Sequence, residues 1–285
     1  MPVTQPPSST LPLITLIAAL SCEVRPWIDA HRLKKTIAKP FDCYRSESLE
    51  IIVAGIGAEA MATAVGWAGG QSDRSRVWLN IGTAGHASRA VGEVFLVHGC
   101  AAGEQGRAHY PPLIAKWSGA SDAVLSVPAP SSDYPIGAAV DMEAAAFYSA
   151  AMRFAPSELV QSIKVVSDNQ SEGIEHLNAS RITELMTPHV ACVDRFSEQL
   201  RDVAMQSMVA TPAQCFTDIR ATVSQRRQIE QLVNQISYMS DTDVLHDLSQ
   251  KTSLTAKALL RELNAIAADI VPQLAALSLE GTKHG

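Results

Sequence analysis

The sequence predicts an α/β protein with a mixed, largely parallel central sheet, followed by a helical C-terminal extension. Three observations predict it. Short apolar runs at 13–20, 49–55, 76–81, 93–98 and 159–166 are rich in Val, Ile and Leu and are bounded by Gly, Ser or Asp. Such runs suit strands covered on both faces. Helical stretches lie between them, which implies crossover connections and parallel pairing. From residue 209 onward no stretch reads as a strand.

The elements follow in order. Residues 1–10, MPVTQPPSST, form a Pro/Ser/Thr-rich tail read as flexible. The apolar run that follows is only about ten residues, half of the roughly 20 that a bilayer needs. No basic region precedes it, as a signal peptide requires, so it reads as a buried first strand. Residues 23–38 read as one helix, with Val24, Trp27, Ile28 and Leu33 at helical spacing and Pro26 tolerated in the first turn. A short strand at 41–44 is expected to pair with 49–53. A helix over 58–68 follows the Gly55-Ile56-Gly57 turn. Residues 142–154 are Ala-rich and apolar nearly all round, as a central buried helix would be. Residues 182–208 read as a helix broken near Pro188.

The chain thus divides into a tail (1–10), an α/β domain (11–208) and a helical extension (209–285). In the extension, Thr211 and Pro212 resemble a helix start, and 213–239 is polar with a narrow apolar stripe. Residues 252–279 carry Leu259, Leu263, Ile266, Ile270, Leu274 and Leu277 on one side, an amphipathic helix that must pack on something. Two readings stand: the extension packs on its own subunit, or it recruits a protein partner.

Composition narrows the function classes. Of 285 residues 47% are apolar and 18% charged, enough for a sizeable core. A formal net charge of −6 with no basic stripe argues against nucleic acid as partner. The five cysteines (Cys22, Cys43, Cys100, Cys192 and Cys215) are scattered and form no C-x-x-C pair. They read as reduced thiols of a cytoplasmic protein. The eight histidines lack the i, i+4 spacing of a zinc-binding helix. No metal and no membrane association are expected.

Ligands in such sheets bind at the carboxyl ends of strands, and four strand ends carry informative residues. In ALSCEVRPW, Glu23 lies in a helix-entry turn, where the helix dipole alone would favour a carboxylate. In VWLNIGTAGHAS a strand ends in Gly82-Thr83-Ala84-Gly85. That stretch is either a structural turn or a close backbone approach to a ligand. It matches neither phosphate-binding glycine pattern. In VDMEAAAFYSAA, Asp141 and Glu143 bracket Met142 at a helix start. One can cap the helix, and the second is surplus to that task. A carboxylate there is suited to gripping paired hydroxyls. In IKVVSDNQ the strand ends in Ser167-Asp168, a turn former or a general acid.

In this order, over about residues 12–205, these segments resemble the nucleoside phosphorylase/nucleosidase superfamily. The resemblance is closest to the 5'-methylthioadenosine/S-adenosylhomocysteine nucleosidase branch. It implies a three-layer α/β/α fold, a purine nucleoside substrate, no cofactor, and a homodimer. It further implies that Asp168, oriented by Ser167, protonates purine N7. Glu143 grips the 2'- and 3'-hydroxyls beside Met142, Glu23 holds the attacking water near Thr83, and Ala84 and Gly85 line the base pocket. An Asp at 168 favours a 6-aminopurine. Phosphorylases of the superfamily hold phosphate with arginines, one from a loop after the first strand and one just before the Gly-Thr turn. Here those places hold ALSCEVRPW and Asn80. Water is therefore expected as co-substrate. Phosphate is the alternative, with Arg25 and Arg89 as its candidate ligands. A third reading is a nucleoside-binding accessory protein.

The chain departs from the nucleosidases in three places. Lys164 stands where they have an arginine near the water. The segment between Gly99 and Val140, which in the family carries the aromatic that stacks on adenine, is short. Tyr134 in LSVPAPSSDYP is the candidate substitute. The family also lacks a helical tail.

Overall fold

The computed structural model describes residues 11–71, 74–103, 106–209, 216, 219–239, 245, 247–248 and 255–280. The chain falls into two compact units, Met1–Ala204 and Met205–Gly285. The tail 1–10, the helix start at Thr211-Pro212 and Cys215 lie outside the described residues.

The first unit is built around β1 (Leu13–Ala18), which is buried along its whole length and pairs in parallel with β4 (Leu49–Val53) and β5 (Arg76–His86). Beyond β4 the sheet continues antiparallel into β3 (Asp42–Arg45) and β2 (Lys34–Ile37). On the other side β5 pairs in parallel with β10 (Val160–Asn169). The path then runs through β6 (Val94–Ala102), β8 (Ala120–Ser126) and β9 (Ala139–Asp141) and back to β5. These five strands close a ring, and β7 (Ala108–His109) pairs with β6 at its side.

Side chains alternate between the two faces of each strand. Ile14 and Leu16 of β1, with Val77, Leu79 and Ile81 of β5, meet α1 (Ser21–Ala30), α4 (Ala179–Met186) and α5 (Val190–Val209) through Trp27, Ile182, Leu185 and Phe196. Ile17, Ile52 and Trp78 face the other way. They meet α2 (Ala58–Gly69) and α3 (Ala144–Ala151) through Met61, Val65, Phe147 and Tyr148. The result is the expected three-layer α/β/α arrangement, and the expected break near Pro188 falls between α4 and α5.

Four expectations need correction. The helix read over 23–38 ends at Ala30; Arg32 turns the chain at φ 50° and β2 follows. Leu33 is buried and mimics helical spacing, but Lys34, Lys35 and Thr36 are exposed on an edge strand, where lysines oppose further pairing. The Gly82–Gly85 stretch is not a turn: it remains in β5, in register with β10. Nor does β10 stop before Ser167-Asp168; it runs on to Asn169 with a bulge at Ser167. Finally, β7 and β8 lie in the 99–140 segment and β9 spans its end, where no strand was expected.

The second unit has its own core. Ile229, Val233 and Ile236 of α6 (Val223–Met239) pack with Leu259, Leu263 and Ala267 of α7 (Ala256–Glu280) and with Phe216, Leu245 and Leu248. Leu259 and Leu263, expected on an apolar stripe in search of a surface, are buried in this core. The side chains of Ile270, Leu274 and Leu277 lie outside the described ones. Among the described residues no helix is long and apolar enough to cross a membrane.

Candidate active site

At the carboxyl ends of β1, β5 and β10 lies an open cavity of about 190 Å³. Glu23, Thr83, Ala84, Gly85, Met142, Glu143, Ser167 and Asp168 all line it. The rest of its wall is mostly apolar, with Leu20, Ile56, Val127, Ile174, Leu177 and Ile182. Its lining includes no Arg, Lys or His among the described residues.

Glu23 enters from the first turn of α1 and is 4% exposed. Its Oε2 accepts the Leu20 N–H at 2.9 Å, completing the helix entry. Its Oε1 accepts the Thr83 N–H at 2.9 Å and the Thr83 hydroxyl at 3.2 Å. The carboxylate therefore bridges α1 and β5. Gly82 makes this approach possible: a Cβ there would stand 2.8 Å from Glu23 Oε1 and 3.5 Å from Lys164 Nζ.

The two carboxylates around Met142 divide their tasks. Asp141 caps α3, accepting the Ala144 N–H at 2.9 Å. It also accepts the Ser126 hydroxyl at 2.5 Å and pairs with Lys164 Nζ at 2.7 Å. Both line the cavity, but the Asp141 carboxylate is taken up by these partners, whereas Glu143 is anchored by the Gly57 N–H at 2.7 Å. Gly55 and Gly57 hold φ of 91° and 95°, a region open to glycine at little cost. The Gly-Ile-Gly stretch, read as a plain turn, thus presents a donor to Glu143. Burial raises the Glu143 carboxyl above its ordinary value, against the opposing pull of Lys164 and the Gly57 N–H. Lys164 is 1% exposed and lies behind the lining. Burial disfavours its charge, but Asp141, Glu143 and Glu23 outweigh that and hold its pKa above the usual lysine value.

Asp168 is 3% exposed. Ser167 donates to its Oδ1, and the Tyr134 hydroxyl donates to its Oδ2 at 2.6 Å. Tyr134 is itself buried and does not line the cavity. Burial first, then the bond to Asp168, raises its pKa well above the usual tyrosine value.

The candidate phosphate ligands are engaged elsewhere. Arg25 is exposed and pairs with Asp29 at 2.8 Å. Arg89 pairs with Asp122 at 2.7 Å and with Glu93. Asn80 is buried, donating to the Ile17 carbonyl at 3.2 Å and accepting from Ser162 at 3.0 Å. It ties β1, β5 and β10 together below the cavity. Sequence reasoning missed Ser126, the donor role of Gly57 and the apolar wall from 174 to 182. Only the Gly-Ile-Gly spacing carried a local signal. Among the described residues no three His, Cys, Asp or Glu side chains gather in a metal-binding group.

No family model matches this sequence, nor does any curated protein sequence. Solved structures do match it. The 5'-methylthioadenosine/S-adenosylhomocysteine nucleosidase of Neisseria meningitidis, in complex with methylthio-immucillin-A, is 18% identical with a TM-score of 0.51, over 69% of this chain and all (100%) of that one. The corresponding enzyme of Campylobacter jejuni is 12% identical at TM-score 0.52, over 65% of this chain and 99% of the other. A Chlamydia trachomatis nucleosidase bound to adenine is 18% identical at TM-score 0.51, over 66% and 100% of the two chains. At such identities the likeness is one of architecture, and the first unit of this chain has the fold of these nucleosidases.

Proposed function

We propose that this protein hydrolyses the N-glycosidic bond of an adenosine-type nucleoside with a modified 5' position, releasing adenine. The observation that carries the reading is convergence. Glu23, Glu143 and Asp168 reach one cavity from α1, the start of α3 and β10, and each is held by donors of the protein itself.

Cleavage of a purine nucleoside develops positive charge on the sugar and negative charge on the base. Asp168, oriented by Ser167, donates a proton to N7. The C1'–N9 bond then breaks with its electron pair moving into the purine. Glu143 accepts the 2'- and 3'-hydroxyls beside Met142, and its negative charge favours the oxocarbenium-like sugar. Glu23 and Thr83 hold water, which adds at C1' and loses a proton to Glu23. Two carboxyl groups of opposite task on either side of a glycosidic bond follow the logic of sugar hydrolases. Ala84 and Gly85 flank the base, and Ile56, Ile174, Leu177 and Ile182 offer apolar surface to the rest of the substrate.

Water is favoured over phosphate because the lining includes no cationic side chain among the described residues, with Arg25 and Arg89 tied to carboxylates elsewhere. An adenine-containing substrate is supported by the ligands of the related folds: adenine in the Chlamydia trachomatis structure and methylthio-immucillin-A in that of Neisseria meningitidis.

The test is chromatography of free adenine after incubation with 5'-methylthioadenosine, S-adenosylhomocysteine and 5'-deoxyadenosine, each with and without phosphate. Equal release in both arms is expected. Release only with phosphate would make the protein a phosphorylase, and no release in either arm would contradict the enzymatic reading.

A further inference from the structure

A carboxyl group turns about a broad, roughly two-fold terminal torsion, so rotamer preference alone does not set its plane. An acid that must meet one nitrogen of a bound base needs that plane held. In β10 the register passes from Val166 opposite Ala84 to Asp168 opposite Gly85, leaving Ser167 as the extra residue of a bulge. A bulge re-aims the side chains beside it. Ser167 then donates to Oδ1 of Asp168. The second donor comes from far along the chain. The loop between β8 and β9 brings the Tyr134 hydroxyl to Oδ2 at 2.6 Å. Gly85 makes room for it: a Cβ there would stand 2.6 Å from Tyr134 Cε1 and 2.7 Å from Asp168 Oδ2.

We propose that Tyr134 is a positioning residue, whose hydroxyl, together with Ser167, fixes the plane of the Asp168 carboxyl from behind the cavity wall. The inference rests on the reading of Asp168 as the acid. It gives Tyr134 a task different from stacking on the base, since Tyr134 lies outside the cavity lining while its hydroxyl meets the carboxylate. One donor on each oxygen fixes the plane as a single donor cannot.

Tyr134→Phe keeps the ring and its packing and removes only the hydroxyl. Steady-state adenine release from the full-length protein is expected to show kcat lower by about tenfold with KM within about twofold. In an Asp168→Asn background, Tyr134→Phe is expected to add little, because two residues acting through one group are not additive. A purely structural tyrosine would lower thermal stability and give the same factor in both backgrounds. A stacking tyrosine would tolerate Phe and raise KM only in Tyr134→Ala. An unchanged kcat in Tyr134→Phe, with the wild type active, overturns the inference alone. A wild type that releases no adenine overturns the functional reading and this inference with it.

Discussion

Lys164 Nζ lies 2.7 Å from Oδ2 of Asp141, and both side chains are almost fully buried, at 2% and 1% exposure. Asp141 also caps α3 through the Ala144 N–H. One carboxylate of the Asp-Met-Glu triplet is thus committed to the helix and the lysine, which frees Glu143 for the cavity. Removing one partner of such a pair strands a charge, at a cost of about 3–5 kcal/mol. Lys164→Met is expected to lose that much in denaturant unfolding. Lys164→Arg, which keeps the charge, is expected to lose less.

Glu143 predicts a pH dependence. Burial raises its folded-state value above 4.5. The folded protein therefore binds this proton more tightly than the unfolded chain. The stability so contributed is fully present below the unfolded value and is lost as pH rises through the raised folded value. Glu143→Gln is expected to flatten stability against pH in that window. The proposed grip on the sugar hydroxyls needs the carboxylate, so wild-type kcat/KM is expected to fall as pH drops through the same value. Lys164→Met, lacking the cation that opposes the rise, is expected to move that fall to higher pH.

Gly82→Ala tests the approach of α1 to β5. The new methyl would stand 2.8 Å from Glu23 Oε1. Overpacking of this kind costs about 1–3 kcal/mol. Turnover is expected to fall more severely, by about a hundredfold, because a carboxylate displaced by about 1 Å would no longer meet the water it is proposed to hold. Thermal melts and kcat measured side by side check both.

The second unit makes its own prediction. Leu259 is fully buried in the α6–α7 core. Leu259→Ala is expected to destabilise that unit by about 2–5 kcal/mol. Amide exchange in α6 and α7, the measurement that checks it, should accelerate accordingly.

Much of the framework was legible from the sequence. The strands β1, β4, β5, β6 and β10 announce themselves because both faces are largely covered and the runs are mostly apolar, with Glu50, Asn80 and Lys164 among the buried exceptions. β9 is only three residues long, and β8 reads ASDAVLS, with Ala120, Ser121 and Asp122 diluting its apolar pattern. Neither carries a signal of its own. Leu33 hid the edge strand β2 inside a helical spacing. The glycines of β5 were read as either a turn or a close backbone approach to a ligand. Here Gly82 and Gly85 are required by side chains that close on the strand from elsewhere: Glu23 and Lys164 on one, Tyr134 and Asp168 on the other. The cavity-lining site residues were legible as strand-end anomalies. Their anchors at Gly57, Ser126 and Tyr134 come from distant segments, and pairing across 86, 15 and 34 residues leaves no local pattern.

If Asp168 drives the departure of the base, its amide variant must lose the reaction. Adenine release from 5'-methylthioadenosine without phosphate is measured for the wild type and for Asp168→Asn, a change that keeps size and removes the transferable proton. Steady release by the wild type and a loss of about 10²- to 10⁴-fold in the variant are expected. Equal rates in the two proteins would contradict it.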